Sequence, residues 1–598
     1  MTKPDFSARL AALRTEISAA QVDGFLVPMA DEYQSEYVPP CAQRVAFLSG
    51  FTGSAGSIVV LKDKAGFFTD SRYTLQAAQQ VPLDLFEVFD TMDKSPLLWL
   101  EENIVKGMKI AYDPWLHTTD GAERLKKALV KGGDEAIAVP KNLVDVVWQD
   151  RPSVPCEPVH PHEMIYAGKS SADKRQEMAA LLRKRNLSAL IVSDPTSIAW
   201  LLNVRGGDVA NTPLPLSRAI LNEDGTVQWF IEARKVTEGL EAHLGAQVVL
   251  LSPHDFPHAL DSLAQKDKAV LLDPAQASIW ITDRLRAAKA KIEFGEDPSE
   301  LPRAIKNTVE LDGIRAAHRR DGAALARFFA WLDQHWLADH LTELDAEQKL
   351  ASFRESNNNY RGPSFDTIAG AGEHGAIVHY RATHASNASL SPGQLFLLDS
   401  GGQYLDGTTD VTRTIALGMP SPEMRERFTR VLKGHIALAA IRFPEGTTGA
   451  ELDVLARQYL WEVGLDYGHG TGHGVGCYLG VHEGPQSISK RSKVPLVPGM
   501  VVSNEPGYYK AGHYGIRIEN LQTVIETVGP AGGERKMLGF ETLTLIPIDR
   551  KLIDTSLLTD SEIKWINAYH ARVKQVLRPM IDESTAVWLE AATLPVER

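Results

Sequence analysis

Along the first part of the chain the apolar positions fall into two runs with the same order. In the first, Leu10, Leu13 and Ile17 recur at helical spacing, and Gly24-Phe25-Leu26-Val27-Pro28 is apolar throughout, as a buried strand is. Phe47-Leu48-Ser49-Gly50-Phe51 follows, and a later strand ends in Phe67-Phe68-Thr69-Asp70-Ser71-Arg72-Tyr73. In the second, Met178, Leu181 and Leu182 mark a helix and Ala189-Leu190-Ile191-Val192 a strand. Trp200-Leu201-Leu202-Asn203 and Trp229-Phe230-Ile231-Glu232-Ala233-Arg234 come next. Ile191 lies 165 residues after Leu26, and Phe230 lies 162 after Phe68. Helices alternating with apolar strands at a repeated spacing predict two related α/β units. The Pro- and His-rich stretch from Pro152 to His162 reads as a linker.

A third unit begins near Leu301-Pro302-Arg303, is helical from about Ile305 to His335, and repeats a plan of its own. Thr342-Glu343-Leu344-Asp345 and Thr448-Gly449-Ala450-Glu451 each open a helix with a threonine cap and an acid three residues on. After each helix, Pro-Gly leads into an apolar run that delivers an acid. Asp399 comes seven residues after Pro392, behind Leu395-Phe396-Leu397-Leu398, and Glu505 comes seven after Pro498, behind Met500-Val501-Val502. A second acid follows each, Asp410 at 11 residues and Glu519 at 14. Glu505 and Glu519 are centred on Gly512 in the turn-like Lys510-Ala511-Gly512-His513, so a hairpin places them face to face. Asp399 and Asp410 are centred between Tyr404 and Leu405, just before the turn signal Asp406-Gly407, so a bulge is expected to adjust their register. Past Lys551 the chain reads as a loop and terminal helices.

Composition narrows the class without naming it. The chain has 598 residues, 44% of them hydrophobic, enough for several cores. A formal net charge of −13 argues against a general nucleic-acid surface. Cys41, Cys156 and Cys477 form no CxxC, so neither a disulfide framework nor a thiolate zinc site is indicated and a reducing compartment is expected. Met1-Thr2-Lys3-Pro4-Asp5-Phe6 lacks an apolar h-region and no run of eighteen apolar residues occurs. The expectation is a soluble cytoplasmic protein with no membrane or nucleic-acid partner.

The four acids carry the chemistry. An isolated acid is usually solvent-facing, but Asp399 ends a buried-strand sequence, and a buried carboxylate needs a cation or a proton. Several together repel unless a metal compensates. Tyr467-Gly468-His469-Gly470-Thr471-Gly472-His473-Gly474-Val475-Gly476 lies between the pairs, and its five glycines forbid a stable helix. It is expected to be a tight strand or loop in which one histidine ligates and the other meets substrate. His379 and His482 end or follow apolar runs; alone, each reads as a satisfied core histidine, and His374 reads as a loop residue. Gly370-Ala371-Gly372-Glu373-His374-Gly375 matches GxGxxG, but Ala376-Ile377-Val378-His379-Tyr380 behind it reads as a strand, so the helix N-terminus that a dinucleotide needs is missing.

These strings resemble the pita-bread metallopeptidases. Asp-x10-Asp, then His, then Glu-Pro-Gly and Arg-x-Glu follow that family's ligand order. His469-Gly-Thr-Gly-His473-Gly-Val-Gly, Val481-His482-Glu483-Gly484-Pro485, Asp406-Gly-Thr-Thr-Asp410-Val-Thr-Arg413 and Glu505-Pro506-Gly507-Tyr508-Tyr509 are similar to its Xaa-Pro aminopeptidase branch. Ser54-Ala55-Gly56 and Thr69-Asp70-Ser71-Arg72-Tyr73 resemble the three-domain form of that branch. The resemblance covers the whole chain. It implies an α/β protein with two creatinase-like α/β domains, 1–155 and 156–303, followed by an α+β pita-bread catalytic domain with a C-terminal extension, 304–598.

The resemblance also implies roles. Asp399, Asp410, His473, Glu505 and Glu519 would hold two metals, with Asp410 and Glu519 bridging, Asp399 on one metal, and His473 and Glu505 on the other. Glu505 would move the proton, while His379, His469 and His482 would contact substrate beside Arg517, Tyr509 and Arg72. Arg517 precedes Glu519 by two residues and on a strand shares its face. Four oxygen donors and one nitrogen favour Mn²⁺, with Zn²⁺ or Co²⁺ as substitutes. The implied activity is release of the N-terminal residue from peptides with proline second, by hydroxide generated at the dinuclear centre. A homodimer is implied as well. A prolidase, which cleaves only Xaa-Pro dipeptides, shares all five ligands but usually carries a single N-terminal unit. A non-catalytic peptide- or protein-binding module of the same fold is a further alternative, opposed by the intact ligands and histidines.

Overall fold

The computed structural model describes residues 5–598. Met1-Thr2-Lys3-Pro4, part of the segment read above for a signal pattern, lie outside the described residues. The described chain forms two compact units, one running through His162 and resuming over Lys169–Ser299, the other made of Glu163–Gly168 and Glu300–Arg598.

The first unit holds two six-stranded mixed sheets. One contains β1 (Gly24–Pro28), β2 (Ser57–Leu61), β3 (Ala65–Thr69), β4 (Glu87–Asp90), β5 (Lys109–Tyr112) and β6 (Glu135–Ala138), in the order β4-β3-β2-β1-β5-β6. The other contains β7 (Leu187–Val192), β8 (Arg218–Asn222), β9 (Val227–Phe230), β10 (Val248–Leu251), β11 (Ala269–Leu272) and β12 (Ile292–Phe294), in the order β10-β9-β8-β7-β11-β12. The two orders are the same. In each, the first strand pairs antiparallel with the second and parallel with the fifth, so Leu26 faces Val59 on one side and Tyr112 on the other. The repeat read from the apolar spacing is therefore a repeat of topology. Leu10, Leu13 and Ile17 are buried on the helix Phe6–Ala19, which Asp5 caps by accepting from Ala8 N at 2.9 Å.

The second unit begins with α1 (Thr308–His335) and α2 (Glu343–Glu355), followed by the short strands β13 (Ile368–Ala371), β14 (Leu395–Ser400) and β15 (Val411–Ala416), which form one antiparallel sheet. Its second half begins with α3 (Pro422–Ala440) and α4 (Gly449–Trp461). A six-stranded sheet follows, comprising Phe443–Pro444, β16 (Gly472–Gly474), β17 (Glu483–Ile488), β18 (Val501–Asn504), β21 (Asn520–Thr527) and β22 (Met537–Thr542). The hairpin β19 (Gly507–Lys510) and β20 (Tyr514–Arg517) stands between β18 and β21. The halves correspond at a constant offset: Thr448 follows Thr342, Pro498 follows Pro392, and Glu505 follows Asp399, each by 106 residues. Both threonines close a capping box, and each bridges to the stretch ahead of its Pro-Gly, at Ser389 and Pro495. The glycines of the two Pro-Gly turns, Gly393 and Gly499, take φ of +83° and +93°, a conformation that side chains resist.

Two local expectations are corrected. Ala376–Tyr380 is not a strand. The chain winds through a five-residue 3₁₀ helix, Gly372–Ala376, and Tyr380 N then closes a turn on Ile377 O at 3.0 Å. The reason is a close approach of backbones: a Cβ on Gly515 of β20 would meet Gly375 O at 1.7 Å, so this segment packs directly against β20. Asp399 also does not stand opposite Asp410. Its partner across β14 and β15 is Thr412, with the turn centred between Leu405 and Asp406. The register shift is two residues, and it leaves Asp410 diagonal to Asp399.

The chain past Lys551 folds as α5 (Asp560–Leu577) and α6 (Glu583–Ala592). Tyr569 on α5 receives Arg413 Nη2 at 2.9 Å, and the same guanidinium donates to Glu519 O through Nη1 at 2.6 Å. The C-terminal helices are thereby tied to the backbone of one of the four acids.

Candidate metal centre

Strand geometry brings the five predicted ligands together. Asp399 is the penultimate residue of β14, Asp410 immediately precedes β15, Glu505 follows β18 and Glu519 precedes β21. Successive residues on a strand alternate faces, so Asp410, Thr412 and Thr414 share one face, as do Arg517 and Glu519. Thr412 joins the two halves: its Oγ1 donates to Glu519 Oε2 at 2.8 Å and accepts from Arg517 Nε at 3.1 Å, while its carbonyl accepts from Glu519 N at 3.1 Å.

Asp410, His473 and Glu519 each aim one ligand atom into a space where all three atoms lie within 4.8 Å of one another. His473 Nε2 is 3.4 Å from Asp410 Oδ2 and 3.5 Å from Glu505 Oε1. Its other nitrogen, Nδ1, lies 2.9 Å from Gly474 O, an atom that only accepts. In the neutral ring the proton is therefore on Nδ1 and the Nε2 lone pair faces the acids, the arrangement of a metal-ligating histidine. Asp399 stands on the other side, its Oδ2 accepting from Arg517 Nη2 at 2.6 Å.

The charges do not balance. Two carboxylates 4 Å apart repel by about 4 kcal/mol at an effective dielectric of 20, and a whole domain is stable by only about 5–15 kcal/mol. Arg517 and a protonated His473 offset two of the four acids. Burial pushes the Asp399 carboxyl up to about 6 and the Glu505 carboxyl up to about 7, and drives Glu519 well above the carboxylate range, with neighbouring acids adding to each rise. Burial depresses His473, but the hydrogen bond to Asp410 and the charge of Glu505 outweigh it and carry the ring to about 9. Asp399 Oδ1, Asp410 Oδ1 and Glu519 Oε1 are buried and have no hydrogen-bond partner. Buried carboxylate oxygens without partners, beside a histidine nitrogen, are the donor set of divalent cations. The residues fit a metal.

The predicted substrate residues flank this cluster. Arg517 Nη1 donates to Tyr509 Oη at 2.7 Å, and Tyr509 Oη stands 2.8 Å from His469 Nε2. His469 Nδ1 is 2.7 Å from Gly470 O, so in the neutral ring Nδ1 carries the proton and Tyr509 donates to Nε2. One chain of hydrogen bonds thus runs from Asp399 through Arg517 and Tyr509 to His469. His482 lies edge-on to His473, with ring centroids 4.4 Å apart. Arg517 Nη2 also reaches Val378 O at 3.4 Å, next to the half-buried His379. Arg72 belongs to the first unit, where Asp70 holds its guanidinium through two hydrogen bonds of 2.9 and 2.6 Å.

Sequence reading missed several supports. Thr412 was legible in principle, since the period-two face through Asp410 contains it. Asp453 and Arg457, four apart on α4, hold the glycine-rich loop: Asp453 Oδ1 accepts from Thr471 Oγ1 at 2.6 Å, and Arg457 Nη2 donates to His469 O at 2.7 Å. Ser503 Oγ receives His473 N at 2.9 Å and donates to Glu505 Oε1 at 3.2 Å. Nothing in the local sequence marks Glu343, whose buried carboxylate lies 2.8 Å from His374 Nδ1.

Comparison with known proteins decides the family. The chain is 40% identical to aminopeptidase P2 of Arabidopsis thaliana over 100% of its own length and 89% of that protein's. It is 41% identical to a probable Xaa-Pro aminopeptidase P of Aspergillus oryzae over 99% of this chain and 93% of the other. This chain belongs to the Xaa-Pro aminopeptidase family. The Xaa-Pro aminopeptidase catalytic core matches the profile of metallopeptidase family M24 over residues 312–526, and residues 536–596 match the C-terminal region of peptidase M24. The creatinase/prolidase N-terminal domain matches twice, over 9–146 and 150–310. The X-prolyl aminopeptidase of Caenorhabditis elegans, described as a cytosolic enzyme with a di-nuclear active site, superposes with a TM-score of 0.95 at 33% identity, covering 99% of this chain and 100% of that one. A prolidase from Thermococcus sibiricus shares the fold over 64% of this chain, with a TM-score of 0.52 at 23% identity.

Proposed function

We propose that this Xaa-Pro aminopeptidase releases the N-terminal residue from peptides with proline in second place, using two divalent cations held by Asp399, Asp410, His473, Glu505 and Glu519. The observation that carries the reading is the convergence of Asp410, His473 and Glu519 ligand atoms within 4.8 Å of one another, in a chain whose likeness to the nematode X-prolyl aminopeptidase runs from end to end. Two N-terminal creatinase-type domains favour the aminopeptidase over a dipeptidase.

When bound, two such cations supply Lewis acidity and lower the pKa of a shared water. The chain's own groups do the rest. Asp410 and Glu519, together with Asp399, His473 and Glu505, would hold the cations. Glu505 is the general base that takes a proton from water and returns it to the proline nitrogen. His379 and His482 steady the developing negative charge on the scissile carbonyl oxygen. His469, oriented by Tyr509, contacts the peptide. The amide before proline has no N–H, so binding here relies on side-chain groups instead of an amide donor. Arg72 is assigned to the substrate by the resemblance alone.

The donor set of four oxygens and one nitrogen suits Mn²⁺ as the resident ion, with Zn²⁺ or Co²⁺ as substitutes. A cytoplasmic homodimer with domain limits at 1–155, 156–303 and 304–598 completes the proposal; among the described residues no helix is long and apolar enough to cross a membrane. The test compares an Xaa-Pro-Xaa tripeptide with its Xaa-Pro dipeptide. Release of the first residue from the tripeptide supports the reading, and cleavage of the dipeptide alone replaces it with a prolidase.

A further inference from the structure

We propose that Glu343 is a positioning residue for His379: one buried carboxylate clasps both roots of the loop that carries the histidine. The inference rests on the reading of His379 as a substrate contact and adds how that contact is fixed.

Glu343 opens α2, and its side chain is closed to solvent. Its two oxygens take four hydrogen bonds. Oε1 accepts from Ala371 N at 2.8 Å and from His374 Nδ1 at 2.8 Å; Oε2 accepts from Tyr380 Oη at 2.9 Å and from Ala388 N at 2.9 Å. Ala371 and Ala388 are the two roots of the loop, and His374 and Tyr380 are the residues that stack against each other around its inner turn, with ring centroids 4.3 Å apart. His379 lies inside all four anchors. The main chain closes the same door: Glu343 N donates to Ala388 O at 3.0 Å, and Leu344 N donates to Asn387 Oδ1 at 3.1 Å.

The repeat inside the catalytic unit shows that helix initiation does not require this acid. At the matching offset of 106 residues stands Gly449, which has no side chain and lies so close to Ser487 that a Cβ would meet its carbonyl oxygen at 1.8 Å. The fold therefore starts this helix equally well without a carboxylate. What differs is the loop beside it, which in the first half must hold a histidine. A carboxylate suits the task because two oxygens accept several donors at once in fixed directions. The bond to Glu343 also raises the pKa of His374, strengthening the inner pair of anchors.

The experiment uses the Mn²⁺-loaded full chain and an Xaa-Pro-Xaa peptide. Glu343→Gln, Tyr380→Phe, His379→Ala and the double variants carrying His379→Ala are compared by kcat, KM, metal content and melting temperature. The expected result is a fall in kcat of about tenfold to a hundredfold for Glu343→Gln, as for a small misplacement of a reacting group, with metal content unchanged. Tyr380→Phe lowers kcat in the same direction, and neither change lowers it further once His379 is alanine. Tyr380→Phe keeps its ring and its packing, so it carries the test if Glu343→Gln does not fold. Wild-type kcat in folded Glu343→Gln, or losses that simply add to that of His379→Ala, would overturn the clasp. An unaltered kcat in His379→Ala would remove the substrate role of His379 itself, and the proposal with it.

Discussion

Arg517 Nη2 sits 2.6 Å from Asp399 Oδ2, and both side chains are nearly closed to solvent. The guanidinium divides its donors among four partners, Asp399, Tyr509, Thr412 and Val378 O, which no ammonium group matches in direction. Arg517→Lys is therefore expected to weaken metal binding by about 10- to 100-fold, the usual loss when the orientation of a ligand is released. Titration of the metal-loaded variant with a competing chelator measures it; wild-type affinity would show that Asp399 orients itself.

The metal-free protein carries acids that repel one another. Replacing Glu519 by Gln removes a carboxyl that burial and the neighbouring acids drive well above the carboxylate range. The metal-free Glu519→Gln variant is expected to melt a few degrees higher than the metal-free wild type, at about 2–4 °C per kcal/mol relieved. Mn²⁺, which raises the melting point of the wild type, is expected to leave the variant unmoved. Calorimetry of the four samples checks both halves of the statement.

Acid sensitivity has a separate source. His570 is fully buried, and burial with the nearby Arg413 charge holds its ring down to about 3; its Nε2 accepts from Ile548 N at 3.1 Å. His435, accepting from Asn520 Nδ2 at 3.1 Å, is likewise held to about 3 by burial and Arg413. The folded pKa lies below the unfolded value of about 6.5. The contribution of each ring is thus intact above pH 6.5 and declines as pH falls toward 3, by about 1.4 kcal/mol per pH unit. Urea unfolding between pH 7 and 5 is expected to show a shallower decline in His570→Gln than in wild type, and equal slopes would contradict the assignment.

Gly515 and Gly375 let two backbones meet. A Cβ at residue 515 would stand 1.7 Å from Gly375 O, so Gly515→Ala must push the His379 loop off β20. A loss of about 1–3 kcal/mol or more is expected, together with a drop in kcat, because the displaced loop carries His379. Chemical denaturation and peptide kinetics on the same preparation measure the two effects.

The parts of this fold that were legible in the sequence are those carried by composition and spacing. Asp399 was readable because Leu-Phe-Leu-Leu ahead of it can only be a buried strand, and the two N-terminal sheets because the same apolar order recurs at a near-constant distance. The glycine-rich stretch around His473 read as a strand or loop because its composition excludes a helix. The rest depended on contacts between distant segments. The two-residue register shift opposite Asp399 is set where the turn closes, and midpoint counting cannot see that. The turn at Ala376–Tyr380 arises because Gly515, far along the chain, occupies the space a strand would need. Glu343 looks like any helix-opening acid until the loop ending at Ala388 comes back to it.

The central claim is a pair of cations held by five side chains and used on an Xaa-Pro bond. The direct measurement titrates the metal-free chain with Mn²⁺ while following release of the first residue from an Xaa-Pro-Xaa peptide. The account predicts activity that rises with added metal and saturates at two equivalents per chain. Full activity in the metal-free chain, or two bound equivalents without cleavage of the peptide, would contradict it.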